Sequence, residues 1–424
     1  MKRLACTLSL FLAAFAVAPL PALAADTLNS GDTAWMLVSS ALVLLMVPGL
    51  AFFYGGMVRS KNVLSTTMHS FAAMAIIGVQ WIVIGYTLSF GASGPFLGGL
   101  QHMFLNGITP DTLTGSIPTY AFVMFQGMFA IITPALISGA VAERMKFSTY
   151  CVFILLWGTL VYDPLAHWVW GDGGWLLKMG ALDFAGGTVV HLSSGISALT
   201  LALFLGKRKG YPQERMPPHN LPMTLLGAGL LWFGWFGFNA GSALSSGGSA
   251  ALAFTTTQTA AAAGALSWML VEWFKDGKPS ALGAASGLVA GLVVITPAAG
   301  FVTPAWALFM GLAAGVVCYG GVMLKHKIGY DDSLDAFGVH GIGGAFGAIA
   351  TGVFASVGAT GLIMGNFHQV LIQAIGVMSA AAYAVIGTVV ILTVLKATMG
   401  LRVELDEERM GLDQSAHSET GYNF

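Results

Sequence analysis

Charge is what this sequence has least of. Asp, Glu, Lys and Arg make up 9% of its 424 residues, 19 acidic and 18 basic, where a soluble globular domain carries about 25%. So few charges cannot cover the surface of a water-soluble chain of this length. Cysteine is scarce as well: Cys6 lies in the N-terminal leader and Cys151 and Cys318 lie in apolar runs, which excludes a disulfide scaffold. The basic residues form only short clusters and the formal net charge is −1, so there is no footprint for nucleic acid. Neither G-x-S-x-G, nor H-E-x-x-H, nor a P-loop occurs. An enzyme is therefore not expected, and no His or Cys cluster asks for a metal or other cofactor.

What is present is apolar. Hydrophobic residues account for 56% of the chain, and its 56 glycines bring the apolar or small share to roughly two-thirds. Lipid is the expected solvent. The first segment reads as an address: Lys2 and Arg3 precede the apolar run Leu4 to Val17, then Pro19, Pro21 and Ala22-Leu23-Ala24. This is the pattern of a signal peptide over 1–24, cleaved before Ala25. An uncleaved first membrane helix is the alternative, disfavoured by the short run and the prolines.

Charged breaks divide the remainder into eleven apolar runs: 32–58, 66–90, 119–141, 147–166, 185–206, 220–242, 249–274, 280–298, 304–324, 336–355 and 370–396. Each approaches the ~20 residues needed to cross a bilayer. With the mature N-terminus outside, every basic residue after the leader except Lys178 falls on the inner side, as the positive-inside rule requires. The expected fold is an all-α polytopic membrane protein. It has eleven transmembrane helices, N-terminus out and C-terminus in, with a membrane domain over 25–399 and a cytoplasmic tail over 400–424 whose Asp406–Arg409 cluster docks on the inner loops.

Runs one to five and six to ten form two halves joined by the basic loop 207–219. Five is odd, so a repeated second half enters from the opposite face, giving an inverted 5+5 repeat plus one bracing helix. A local trace supports it. DFAGGTVVHLSSG (Asp183 to Gly195) and DAFGVHGIGG (Asp335 to Gly344) each begin with an Asp placed to cap a helix. Each then sets a His between small residues four positions either way: Gly187, His191, Gly195 and Ala336, His340, Gly344. At 1.5 Å per residue the two histidines lie about 12 Å and about 7.5 Å from opposite helix starts, so they can meet near the midplane of a ~30 Å core. An ionisable residue at that depth is a functional candidate. A core histidine satisfied by a neighbouring helix is the alternative for each, and the repetition in both halves favours a pore-lining pair.

Aromatic residues form a second constellation. Phe125 and Phe129 are i,i+4 on the third run, and Trp235, Phe238 and Ser242 share a face of the sixth. Trp170 lies near the outer end of the fourth, where an interfacial belt residue also sits. Such stripes are more often packing, but here they lie beside a hydroxyl (Ser242) and an amide (Gln126). Ring faces attract a desolvated cation by about 2 kcal/mol.

The strings FFYGGMVRSKNVLS (52–65), FQGMFAIITPALISGAVAERM (125–145), AHWVWG (166–171), LDFAGGTVVH (182–191), PHNLPMTLLGAGLLWFGWFGFNAGS (218–242) and DDSLDAFGVHGIGG (331–344) resemble the Amt/Mep/Rh ammonium transporters, most closely the bacterial ones. The resemblance runs from about residue 30 to the tail. It implies a homotrimer in a bacterial inner membrane with one pore per subunit for ammonium or ammonia, and a PII-type signalling protein as partner at the cytoplasmic face. By position it assigns Phe125, Trp170 and Ser242 to an outer recruitment site, ordered by Asp183. It assigns Phe129 and Phe238 to a phenyl gate, His191 and His340 to the pore centre, and Trp235 and Gln126 to the pore wall. Two features depart from the family pattern: the loop WGDGGWLLKMG (170–180) is a residue longer, and Asp163 stands where a neutral residue is expected. The implied activity is recruitment of NH4+, its deprotonation, and passage of NH3 with separate proton transfer. An ammonium sensor coupled to PII with little transport is the alternative.

Overall fold

The computed structural model describes residues 27–423, so the expected leader over 1–24 lies outside the described residues. Apart from one small hairpin pairing Leu113–Thr114 with Ile117–Pro118, its regular structure is helical. Helices follow the apolar runs: α1 (Ser30–Met57), α2 (63–90), α3 (Thr119–Val141), α4 (147–170), α5 (Gly187–Leu205), α6 (Leu221–Gly241), α7 (Gly248–Asp276), α8 (Ala281–Ile295), α9 (Pro304–Ile328), α10 (Phe337–Phe354) and α11 (Phe367–Thr398). Among the described residues, nine are long and apolar enough to cross a membrane. The other two are α7, which is rich in Ala and Thr, and α8, which has only 15 residues. Starts and stops follow local chemistry. Asn29, Asn220 and Ser280 accept from backbone N–H groups of α1, α6 and α8, Pro304 occupies the first turn of α9, and Gly329 ends that helix with φ of 82°.

Glycine seams bring helices within backbone contact. A Cβ on Gly227 of α6 would stand 2.2 Å from the Phe53 nitrogen of α1. On α5 and α10 the seam is reciprocal: a Cβ on Gly195 would stand 2.0 Å from the Gly341 nitrogen, and one on Gly344 would stand 2.7 Å from the Gly187 oxygen. Gly187 and Gly195 of α5 thus interlock with Gly341 and Gly344 of α10.

Four helices contain a π-helical turn, a device common at functional sites. They are Trp81–Gly85 in α2, Gly158–Tyr162 in α4, Gly187–Leu192 at the start of α5 and Phe337–Gly341 at the start of α10. Asp183 caps α5 as expected, accepting from the N–H groups of Gly186, Gly187, Thr188 and Val189 at 2.6–3.1 Å. The cap of α10 is Asp332 and not Asp335. Asp332 accepts from Ala336 and Phe337 at 3.2 and 2.8 Å. Asp335 has a left-handed backbone, φ 62°, and its carboxylate turns to Lys325 Nζ at 2.5 Å.

Several basic loops meet on one face. Glu143, with a fully buried side chain, pairs with Arg59 at 2.8 Å and Arg208 at 3.1 Å, and Arg208 pairs with Asp331 at 2.9 Å. The C-terminal segment covers this basic face through two short helices, Leu405–Met410 and Leu412–His417. Glu408 accepts from the Lys209 N–H at 2.6 Å and pairs with Arg402 at 2.7 Å, while Asp413 accepts from the Ser65 N–H at 2.8 Å.

Candidate pore

The π turns of α5 and α10 place His191 and His340 side by side, 2% and 3% exposed. Their Nδ1 atoms lie 3.2 Å apart, with ring centroids at 5.3 Å and planes 22° from parallel. At that distance the contact is a hydrogen bond only if one Nδ1 carries a proton and the other does not. The neutral pair therefore holds opposite tautomers, with a bare Nε2 on one ring and an Nε2–H on the other.

The indole of Trp235 stacks on His191 at 5.3 Å and donates its N–H to Thr296 Oγ1 at 2.9 Å. The indole's one polar atom is thus spoken for, and its ring forms part of the pore wall. The lumen around the histidines is narrow, and its remaining lining is apolar, including Leu50, Ile132, Leu231 and Val289. Toward the face opposite the basic loops it ends at Phe238, which stacks on Phe129 with centroids 4.0 Å apart and planes 24° from parallel. Beyond this phenyl pair lies an open mouth chamber, lined among others by Phe129, Gln126, Trp170 and Ser242. Toward the basic face the lumen passes His340 and Val289 and reaches Asp335. There it meets an open vestibule bearing Arg208, Glu214 and Lys325.

Most of the sequence-predicted residues thus converge on one route, and two stand behind it. Phe125 is 1% exposed. Its ring backs Phe129 at 4.9 Å and fills the space beside Gly241, where a Cβ would meet it at 2.6 Å. Asp183 is consumed by its four N–H groups, and its carbonyl accepts from the Trp170 indole at 2.8 Å. The long 170–180 loop folds into the short helix Trp175–Met179, from which Leu177 reaches the mouth chamber.

Residues that sequence reasoning missed include Phe90, Phe122 and Phe184 on the chamber wall and Thr296 under Trp235. Phe90 ends an apolar run, and nothing in its periodicity separates a wall residue from packing. Gln80 and Asp163 form a buried pair at 2.7 Å, for which the one signal was the acid itself.

Chemically, rings, an amide and a hydroxyl at the mouth suit a compact cation. The phenyl pair and the apolar lumen below it disfavour any ion, since an uncompensated charge there costs several kcal/mol. The imidazole pair supplies the proton donors and acceptors within the lumen.

Three comparisons bear on this arrangement. Residues 34–422 match the model of the Ammonium Transporter Family. An ammonium transporter of Bacillus subtilis is 52% identical over 403 residues, covering 93% of this chain and 99% of the relative. Among solved structures, Saccharomyces cerevisiae Mep2 superposes with a TM-score of 0.84 at 38% identity, over 90% of this chain and 89% of that one. A protein described as a sensor Amt protein superposes with a TM-score of 0.85 at 30% identity, over 91% and 98%. The chain is a multi-pass, all-helical membrane protein and belongs to the ammonium transporter family.

Proposed function

We propose that this chain transports ammonium, capturing NH4+ in the mouth chamber and conducting NH3 through the twin-histidine lumen while the proton crosses separately. The observation that carries the reading is the imidazole pair set in an otherwise apolar lumen behind two stacked phenyl rings. Trp170, Phe129, Ser242 and Gln126 offer ring faces and lone pairs to a cation. Binding of this kind is worth about 2 kcal/mol or more when the cation is desolvated. At the phenyl gate NH4+ gives up one proton and becomes NH3, which escapes the charge penalty of the lumen. Potassium has no proton to give. The His pair accepts and hands on that proton, and because two touching imidazoles resist double protonation it titrates as one coupled unit. NH3 and the proton recombine on the far side.

The same reading sets eleven spans across a bacterial inner membrane with the basic face and tail in the cytoplasm, following the distribution of Lys and Arg. It sets three copies together as a homotrimer, and a PII-type signalling protein at the basic face, as the resemblance implies. A sensor with little transport is the second reading, supported only by likeness to one sensor Amt protein. The test is uptake of labelled methylammonium in cells lacking other ammonium transporters, comparing wild type with His191→Ala and His340→Ala. Uptake that both substitutions diminish supports the reading. Undiminished uptake in both removes the pair from the mechanism, and no uptake by wild type favours the sensor.

A further inference from the structure

Behind the mouth chamber, α2 and α4 are joined by a buried polar bridge that the pore itself does not use. Gln80 immediately precedes the π turn of α2, and Asp163 immediately follows that of α4. Asp163 is fully buried. Its Oδ2 accepts from Gln80 Nε2 at 2.7 Å, and Ser89 Oγ stands 3.4 Å from its Oδ1. Gln80 Nε2 also reaches Thr159 Oγ1 at 3.2 Å. One turn further along α4, the His167 ring nitrogens lie 3.0 Å from the Ser89 carbonyl and 2.8 Å from that of Gly94. A Cβ on Gly171 would strike both His167 and the Ser89 oxygen at 2.5 Å, so the contact is tight.

Asp163, His167 and Trp170 follow one another at i, i+4 and i+7 and so share a face of α4. The residue after Ser89 is Phe90. The face that grips the end of α2 therefore ends in Trp170, and the gripped segment ends in Phe90; both line the mouth chamber. A buried carboxylate is costly unless bonded. One held in a bridge between two π turns fixes a spacing that apolar side chains would leave free to slide.

We propose that Asp163 is a positioning residue for cation capture, its bridge to Gln80 and Ser89 setting the distance between Phe90 and Trp170 and with it the apparent affinity of the mouth. The inference rests on the reading of the pore as an ammonium route.

The experiment is the concentration dependence of labelled methylammonium uptake, at matched protein per membrane, for wild type, Asp163→Ala, Asp163→Asn, the double variant Gln80→Leu/Asp163→Leu, and Trp170→Ala. Asp163→Ala raises the half-saturating concentration about tenfold while the maximal rate stays within about twofold. Asp163→Asn retains one acceptor for Gln80 and shifts it by about threefold or less. The double variant removes both buried polar groups together, which spares the cost of an unpaired one, and it keeps the raised half-saturation in a folded protein. A maximal rate that falls at unchanged half-saturation, or a double variant with wild-type half-saturation, overturns the proposal. So does a shift in Trp170→Ala with none in Asp163→Ala, which leaves the pore reading standing. Absence of a shift in Trp170→Ala, or of uptake by wild type, is instead a failure of the pore reading itself.

Discussion

The Nδ1 atoms of His191 and His340 stand 3.2 Å apart because the backbones that carry them touch at glycine. Gly195 faces Gly341, and Gly344 faces Gly187 and Leu192. Two helices that start from opposite faces are thereby held in register at the depth where their only ionisable side chains meet.

Gly195→Ala tests that dependence. The added methyl would stand 2.0 Å from the Gly341 nitrogen, so α5 and α10 must separate. Overpacking of this kind costs about 1–3 kcal/mol or more. The expected outcome is a lower melting temperature in detergent together with loss of most methylammonium uptake. Wild-type uptake in this variant would show that the histidine contact is not needed.

The register was legible in the sequence only where it repeated. The small-His-small pattern of DFAGGTVVHLSSG and DAFGVHGIGG predicted the contact of His191 with His340, and the charged breaks predicted helices in place of all eleven apolar runs. The π turns were not legible, because one turn widened by a single residue leaves hydrophobic spacing almost unchanged. Which of Asp332 and Asp335 caps α10 was decided by a left-handed φ at Asp335, a backbone property the residue type alone does not announce. Phe125 was placed at the mouth by resemblance and lies instead behind Phe129, since i,i+4 spacing fixes a shared face and not which ring is outermost. Gln80 and Asp163 are 83 residues apart, beyond the reach of any local pattern.

Asp183 holds the start of α5 and, through its carbonyl, the Trp170 indole. Asp183→Asn keeps one oxygen for the four N–H donors, and Asp183→Ala keeps none. Each orphaned buried donor costs about 1–3 kcal/mol. Thermal stability and uptake should therefore fall in the order wild type, Asn, Ala, read by melting in detergent and by uptake at matched protein levels. An Ala variant as stable as wild type would contradict the cap.

At the basic face, Glu143 ties Arg59 to Arg208. Burial by itself would raise its carboxyl, but Arg208 and Arg59 outweigh it and hold the group below its ordinary 4.5. A depressed carboxylate contributes stability that is complete above the unfolded value and lost as pH falls through the folded one. Melting temperature should therefore drop below about pH 4.5, and the drop should be shallower in Glu143→Gln. At neutral pH that variant leaves Arg208 with Asp331 and a neutral amide oxygen in place of a second carboxylate, a loss of about 1–3 kcal/mol. Unchanged melting at pH 7 would contradict the role of the network.

The central claim, that nitrogen crosses as NH3 while its proton crosses separately by way of the histidine pair, is tested most directly by current. Liposomes containing the purified protein are stepped from sodium to ammonium and, separately, from sodium to potassium. The account predicts an inward current on the ammonium step, none on the potassium step, and loss of the ammonium current in the His191→Ala/His340→Ala double variant. Ammonium flux with no current, or an equal current with potassium, would contradict it.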